Sequence, residues 1–458
     1  MAAEDKNAGD EKDLAPEARR RPRWGLRVLL GLLAVVVVAG IALFVSVQHR
    51  LDQRSRGEGV VQAPSEFAAL EGSTGRTGAF TASIDFTSMA TGAETISTEV
   101  AWDDEWFFQD PTVYNHELAT TCSVLSAVAN SESAYYQAGS TSPAYMEQAL
   151  AELGFEEVST ASYQYRSEIF DEVVDFITGT DDVVAYSVAT KRVASASGAE
   201  KTLFLVSIRG SYGSEWLSDL NMGSAATYDM EEITHEGFSE AAREIVDELT
   251  VRITEEAGLD GTDDICLLFT GHSRGAATAN IAAAYADEMS QGMRVLAPLS
   301  SIYCYTFATP TVTTFDTARD TLYDNIFNVM NPSDLVPRLP LNSWGYERYG
   351  NDLWLPGYGD EGFDEAHEDM CEVFEANTGV ESPYVPADRE RVDRLVADLG
   401  REIPTVGDLA TLGGGATVVK DLLADVNPMQ VLYGHYPSVY IAYMQSVNWG
   451  QSPIDTTD

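Results

Sequence analysis

The chain has 458 residues, 45% of them hydrophobic and 10% aromatic, and this composition excludes a chain that is disordered throughout. The 72 acidic residues outnumber the 28 basic ones, which gives a formal net charge of −44 at pH 7. Such a field repels phosphates, so the charge excludes nucleic acid as a partner and disfavours contact with anionic lipid headgroups.

An apolar run near the N-terminus predicts a membrane anchor. Residues 25–47 contain no acid and one base, Arg27, and as a helix they would cover about 34 Å, more than a hydrocarbon core of about 30 Å. A cleaved signal peptide is the alternative, but its apolar region would be shorter and would end in a small-x-small site. Arginines are denser before the run than after it, so we expect residues 1–24 in the cytoplasm and the rest of this cell-membrane protein outside.

The residues after the anchor predict a stalk and then one domain. Residues 48–77 show no hydrophobic periodicity, which is typical of a linker, and the domain is expected to span 78–458. In its first half, alternating segments predict two hairpins. Apolar stretches between the two hairpins predict two helices. The predicted hairpin strands are 79–86 with 94–102 and 183–193 with 201–208, and the predicted helices are 115–136 and 143–153.

Strands and helices alternate in the second half of the domain. An amphipathic helix, Phe238 to Ile253, leads into a buried strand at residues 265–270, and further apolar strands follow at 301–307 and 325–330. This alternation predicts a mostly parallel sheet flanked by helices. From 355 to 430 the pattern becomes irregular and helical, which indicates an insertion or cap on that sheet.

The strand at 265–270 runs into a turn that carries a candidate nucleophile. Gly271 and Gly275 each stand two residues from Ser273, and an Ala-rich helix follows. A strained strand-to-helix turn needs positions without a Cβ, both for its backbone angles and for close packing of the helix on the strand. The pentapeptide, which also contains His272 and Arg274, therefore predicts a turn that lifts the hydroxyl of a nucleophilic Ser273 clear of the sheet. An idle serine in a tight turn is the alternative.

A serine hydroxyl needs a base, and the base needs an acid to orient it. Of the six histidines, His435 precedes an apolar helix in a turn and is our candidate base, whereas His367 lies in an acidic run that favours a solvated loop. Asp334 follows the strand that ends at Met330, where the orienting acid is expected. The alternative for Asp334 is an aspartate that caps a turn.

Donors for an oxyanion are expected next to the nucleophile and after an earlier strand. The backbone amide of Arg274 fits the first position. Ser211, which follows the strand at 201–208, offers an amide and a hydroxyl for the second. The local sequence fits a simple turn at Arg209-Gly210-Ser211 equally well.

Several motifs together make the chain resemble the class 3 lipases, the fungal triacylglycerol lipase-like family. They are Ser207-Ile208-Arg209-Gly210-Ser211 with Trp216 and Asp219, His235-Glu236-Gly237-Phe238, Gly271-His272-Ser273-Arg274-Gly275-Ala276, Tyr305-Thr306-Phe307-Ala308-Thr309-Pro310, Asn331-Pro332-Ser333-Asp334-Leu335-Val336-Pro337 and His435. The resemblance implies an α/β-hydrolase fold, carboxylic ester hydrolysis, a triad of Ser273, Asp334 and His435, and an oxyanion hole formed by Ser211 and Arg274. It also implies that Tyr212 to Leu220 form a lid; packing of a short helix on the core is the alternative explanation of the apolar spacing in this segment. The sequence departs from the family pattern at Arg274, where an apolar residue is frequent, and in the insertion before His435.

The remaining signals are weaker. Cys266 and Cys304 lie in predicted core strands and are expected to be buried thiols, while Cys122 and Cys371 could form a disulfide. No spacing of Cys and His resembles a zinc site, and we predict neither a metal nor a cofactor.

The expected activity is hydrolysis of carboxylic esters, with acylglycerols or other lipid esters as substrates. The alternatives are a surface binding protein that keeps the fold without turnover, and a hydrolase of non-lipid esters or thioesters. The oligomeric state stays open.

Overall fold

The computed structural model describes residues 67–447 apart from 93, 133, 137–139, 161, 164–183, 211–235, 259–260, 386–387, 403 and 405–432. The predicted tail and membrane anchor, residues 1–47, lie outside this part of the chain. Within it, no helix is both long enough and apolar enough to cross a membrane. The described residues all belong to one compact unit, Ala63–Asp458.

Ten strands are described, and eight of them form the central sheet. Their bounds are Ala68–Ala69 (β1), Phe80–Thr87 (β2), Thr95–Trp102 (β3), Glu157–Ser159 (β4), Tyr186–Ala194 (β5), Glu200–Ile208 (β6), Ile265–His272 (β7), Ile302–Phe307 (β8), Ile326–Met330 (β9) and Asn351–Trp354 (β10). The sheet has the order β1-β4-β5-β6-β7-β8-β9-β10. The strands from β6 to β10 pair in parallel, and the strands from β1 to β6 pair antiparallel. The predicted mostly parallel sheet and both predicted hairpins are confirmed, the first hairpin as a separate sheet of β2 and β3.

Seven α-helices are described. Their bounds are His116–Glu132 (α1), Tyr145–Glu152 (α2), Glu236–Ala257 (α3), Arg274–Ser290 (α4), Phe363–Thr378 (α5), Asp388–Glu402 (α6) and Pro437–Ser446 (α7). The helices predicted at 115–136 and 143–153 correspond to α1 and α2, and Gly154 follows α2 with a positive φ of 77°.

The side chains of β7 divide between two cores because successive residues of a strand point to opposite faces. Cys266 and Leu268 pack in a core with residues of α1, α2, α5, α7 and the β2–β3 hairpin. Leu267 and Phe269 pack in the other core, with residues of α3 and α4. Every residue of β7 is buried, as a parallel strand covered by helices on both faces requires. The fold therefore has three layers, which agrees with the α/β-hydrolase arrangement.

The predicted stalk, residues 48–77, extends too far towards the C-terminus. Ala68 and Ala69 pair with Val158 and Glu157 at the edge of the main sheet, and Leu70 is buried. The sequence prediction missed this strand because two small residues produce no alternation that could be recognised. The domain therefore includes residues 67–77, which we had placed in the stalk.

The insertion at 355–430 contains two described helices. Met370 and Phe374 of α5 belong to the core that also contains α7. Val392, Leu395 and Leu399 form the buried face of α6, and Asp393 of the same helix lies 3.6 Å from Arg338 in an ion pair. The described part of the insertion is thus packed onto the domain through apolar side chains.

Candidate active site

The turn after β7 presents Ser273 in the strained conformation that the glycine pattern predicted. Its φ and ψ are 58° and −126°, a region that residues with a Cβ rarely occupy. The Ser273 amide donates to the carbonyl of Phe307 at 2.9 Å, which ties the turn to β8. Although Ser273 is the N-cap residue of α4, its hydroxyl makes no capping hydrogen bond. The Oγ atom is therefore available for another partner.

Gly271 and Gly275 allow the backbones around this turn to touch. A Cβ on Gly271 would lie 2.4 Å from the carbonyl oxygen of Gly275, and one on Gly275 would lie 2.4 Å from that of Ile208. Since real Cβ contacts are longer than this, any other residue would push α4 away from the turn or from β6. The two glycines of the motif are required by close packing, as we predicted.

The structure brings Ser273, His435 and Asp334 into one chain of hydrogen bonds. Nε2 of His435 lies 2.9 Å from Oγ of Ser273, and Nδ1 of His435 lies 2.7 Å from Oδ2 of Asp334. Because the carboxylate only accepts, Nδ1 of a neutral ring donates to it and Nε2 accepts from the serine hydroxyl. Ser273, His435 and Asp334 expose only 6%, 4% and 0% of their surface, so the chain is nearly sealed from bulk water.

Asp334 is held by two further side-chain contacts. The hydroxyl of Tyr440 on α7 donates to Oδ2 at 2.8 Å, and the amide of Val336 donates to Oδ1 at 2.9 Å. Tyr440 also accepts a hydrogen bond from the amide of Asn331 at 2.9 Å. Burial, and then the charge of Asp334, raise the pKa of Tyr440 well above its ordinary value, so the phenol stays protonated and remains a donor.

The backbone on which His435 stands is fastened by side chains from two strand ends. Nδ2 of Asn331, after β9, donates to the carbonyl of Gly434 at 2.9 Å. The ring of His272, at the end of β7, is hydrogen-bonded to the backbone of His435. Tyr384 from the insertion in turn contacts Oδ1 of Asn331 at 3.2 Å. His435 is therefore placed by the core of the sheet, although a long insertion precedes it.

His272 lies against the catalytic candidate without titrating near neutral pH. Its ring centroid is 4.7 Å from that of His435. Burial, followed by the proximity of His435, lowers the pKa of His272 well below its ordinary value. Two imidazolium rings at this distance would repel each other. Because His272 stays neutral, His435 can take up a proton without that repulsion.

One of the two predicted oxyanion donors lies in the described part of the chain. Arg274 is the first residue of α4, where backbone N–H groups have no partner within the helix and the helix dipole favours negative charge. Ser211 and the predicted lid, Tyr212 to Leu220, lie outside the described residues. The described chain ends at Gly210 on this side, and a Cβ there would lie 3.4 Å from Cβ of Ser273. The residue before Ser211 therefore lies at the nucleophile.

His367, the alternative base, is placed elsewhere. It lies on α5 and not in a solvated loop, and its ring stacks on Phe363 with centroids 5.5 Å apart. Its Nε2 is 3.6 Å from the sulfur of Cys371. Burial lowers the pKa of His367. The acidic run around it had predicted a loop, but its apolar residues recur at helical spacing and pack inward.

The cysteines and acidic residues add no further chemistry to this site. Cys122, Cys266, Cys304 and Cys371 are all free thiols, so the possible disulfide between Cys122 and Cys371 is absent. Among the described residues, no group of three or more His, Cys, Asp or Glu side chains could hold a metal ion.

The sequence assigned no role to three residues that contact the site, namely Asn130, Asn331 and Tyr440. Asn331 could have been found, because it follows a predicted strand and begins the motif that contains Asp334. Asn130 and Tyr440 lie in predicted helices, where helical periodicity does not reveal a side chain that reaches a distant loop.

Comparison with known families supports the inferred resemblance. Residues 205–344 match the model of the lipase (class 3) family. The match includes Ser273 and Asp334 and ends before His435. It covers less than half of the chain, so the N-terminal segment and the insertion fall outside it.

The chain is also similar to solved lipases over part of its length. The Rhizomucor miehei triacylglyceride lipase is 23% identical over 38% of this chain and 62% of its own, with a TM-score of 0.30. A lipase from Rhizopus microsporus var. chinensis is 14% identical over 53% of this chain and 76% of its own, with a TM-score of 0.34. Lipase II from Rhizopus niveus is 17% identical over 37% and 62%, with a TM-score of 0.28. Because these likenesses are distant, the roles of residues rest on the geometry given above.

Proposed function

We propose that this protein is a serine hydrolase that cleaves carboxylic esters through an acyl-enzyme on Ser273. The observation that carries the proposal is the position of the His435 ring, 2.9 Å from Ser273 Oγ on one side and 2.7 Å from Asp334 Oδ2 on the other. A base within hydrogen-bond distance of the nucleophile and of an orienting acid is the arrangement that activates a serine hydroxyl.

In acylation, Nε2 of His435 takes the hydroxyl proton as Oγ of Ser273 forms a bond to the ester carbonyl carbon. The carbonyl electron pair moves onto oxygen, and the amide of Arg274 at the start of α4 stabilises that charge. The second donor, predicted at Ser211, completes the oxyanion hole in this proposal. When the tetrahedral intermediate collapses, the carbon–oxygen bond to the alcohol breaks and the alcohol leaves with the proton from His435.

In deacylation, water repeats these steps on the acyl-enzyme. His435 removes a proton from water as its oxygen attacks the acyl carbon, and then returns the proton to Ser273 Oγ when the acid is released. Asp334 accepts the hydrogen bond from Nδ1 of His435 and stabilises the imidazolium that forms twice in each cycle. The hydrogen bond from Tyr440 holds the Asp334 carboxylate in place for this role.

Lipid esters are the substrate class that we propose, and the match of residues 205–344 to the class 3 lipases supports it. The same chemistry would hydrolyse other carboxylic esters and thioesters, because the triad acts on the acyl carbon whatever the leaving group. The acyl chain length that the enzyme prefers is determined by the experiment below.

The test uses the full chain, purified in a mild detergent, with p-nitrophenyl esters of short and long acyl chains. We expect hydrolysis that falls by at least about 10³-fold in Ser273→Ala, and covalent labelling of the wild type alone by a fluorophosphonate probe. A faster reaction with long acyl chains would support the lipid assignment. Equal rates for the wild type and Ser273→Ala, with no labelling of folded protein, would contradict the proposal and favour a binding protein.

We further propose that residues 25–47 anchor the protein in the cell membrane with the hydrolase domain outside. The proposal rests on the apolar run and on the arginines that precede it. Protease added to intact cells should digest the domain and leave a short protected N-terminal fragment. A domain that resists digestion until lysis would reverse the orientation, and a free domain with a new N-terminus near Val47 would show a cleaved signal peptide.

A further inference from the structure

Three consecutive side chains at the end of α1 bind three different parts of the domain. Oδ1 of Asn130 accepts from the amide of Gly210 at 2.7 Å. Oγ of Ser131 accepts from the amide of Thr87 on β2 at 2.8 Å. Oε2 of Glu132 accepts from the amide of Met146 in α2 at 2.7 Å. The first of these contacts connects α1 to the active site.

Gly210 lies where β6 leaves the ladder of the sheet. The last pairs of β6 join Ile208 to Tyr186 and to Gly271, and the amide of Arg209 still donates to the carbonyl of Ala185 at 2.9 Å. Gly210 has no strand partner, and its residue is buried. A buried amide without an acceptor is costly, so the Asn130 side chain takes the place that a neighbouring strand would have filled.

Gly210 also lies directly against the nucleophile turn. A Cβ on Gly210 would be 2.6 Å from the carbonyl oxygen of His272, 3.3 Å from Oδ1 of Asn130 and 3.4 Å from Cβ of Ser273. The backbone there is consequently enclosed between the Asn130 side chain on one side and the strained turn on the other. A shift of Gly210 would change its packing against the turn that carries Ser273.

We propose that Asn130 is a positioning residue for ester hydrolysis, which holds the end of β6 against Ser273. The inference rests on the proposed function and extends it to α1, which lies outside the residues that match the class 3 lipases. Asn130 acts through Gly210 and does not touch the reacting atoms. Its effect reaches the reaction because Gly210 packs against the turn that carries Ser273, and misplacement by about 1 Å at such a site costs about 10²-fold in rate.

The experiment compares Asn130→Ala with Ser131→Ala in the full chain. Both variants remove a hydrogen bond from the same turn of α1 to a backbone amide, but Ser131 leads to the hairpin and not to the site. We expect Asn130→Ala to lower kcat by about 10- to 100-fold, with KM changed less than about threefold. Ser131→Ala should keep the wild-type kcat, although it loses contacts to both the amide and the hydroxyl of Thr87.

A kcat for Asn130→Ala within about twofold of the wild type would overturn the inference, as would an equal loss in Ser131→Ala, since that result would indicate general loosening of α1. Amide exchange separates the two roles, because Asn130→Ala should raise exchange at Gly210 and Ser131→Ala should raise it at Thr87. Ser273→Ala is measured in the same series. Hydrolysis by the wild type no faster than by Ser273→Ala removes the proposed function itself, whereas an active wild type with an unaffected Asn130→Ala removes only the role of Asn130.

Discussion

Glu132 should make the stability of the domain depend on pH in a direction opposite to that of most carboxyl groups. The side chain is fully buried, and burial raises its pKa from 4.5 to about 8, against the smaller opposing effect of its hydrogen bond from Met146. Oε1 has no hydrogen-bond partner among the described residues. The folded protein therefore keeps Glu132 protonated at neutral pH.

The sign follows from the protons that each state binds. Between pH 4.5 and pH 8 the folded state retains the Glu132 proton while the unfolded state releases it, so this group's contribution to stability is full below pH 4.5 and is lost as pH rises to 8. Each pH unit in that window changes the free energy of unfolding by up to about 1.4 kcal/mol. The whole window, from pH 4.5 to pH 8, corresponds to a loss on the order of 5 kcal/mol.

Glu132→Gln tests this reasoning because an amide keeps the oxygen that accepts from Met146 but does not titrate. Urea unfolding of the full chain at half-unit steps from pH 5 to pH 9 gives the free energy of unfolding of the wild type and the variant. As pH rises towards 8, the free energy of unfolding of the variant should increase relative to that of the wild type by up to about 1.4 kcal/mol per pH unit. Above pH 8 the difference between the two should stay constant. Glu152→Gln, an exposed carboxyl on α2, is the control and should follow the wild type. Parallel curves for the wild type and Glu132→Gln would refute the assignment of a protonated Glu132.

Three further predictions concern the site and the turn. His435→Ala should lower kcat by about 10⁴-fold or more, whereas His367→Ala, on α5, should stay within about twofold of the wild type; the reverse ranking in an ester hydrolysis assay would reassign the base. Tyr440→Phe removes the hydrogen bond to Asp334, so kcat should fall by about tenfold or more and the buried Asn331 amide should lose its acceptor; an unchanged kcat would contradict the role of Tyr440. Gly275→Ala places a Cβ 2.4 Å from the Ile208 carbonyl oxygen and should lower the free energy of unfolding, measured by urea titration, by about 1–3 kcal/mol. The control is Gly292→Ala, whose Cβ would lie 3.4 Å from the nearest atom. This control should change the free energy of unfolding by less than about 0.5 kcal/mol.

The elements that could be predicted from the sequence are those that local patterns determine. The alternating and apolar runs predicted the β2–β3 hairpin and the strands from β5 to β9, and the glycines around Ser273 predicted the turn. Both kinds of pattern are local, because backbone sterics and side-chain period act over a few residues. Ser273 and Asp334 were predicted from their positions after strands, and His435 from its position in a turn before an apolar helix. These predictions agree with the two hydrogen bonds that join the three residues.

Contacts between distant residues depended on the tertiary structure. His435 and His367 both lie in the C-terminal third of the chain. The tertiary structure distinguishes them, because α5 packs on the core and His367 stacks on Phe363 there, away from Ser273. The hydrogen bonds from Tyr440 to Asp334 and from Gly210 to Asn130 join residues 106 and 80 positions apart. No local pattern specifies such a pair. The apolar stripe of a helix determines which face packs on the core, but it does not determine which residues its few polar side chains will contact. Those partners are set only when the layers pack together.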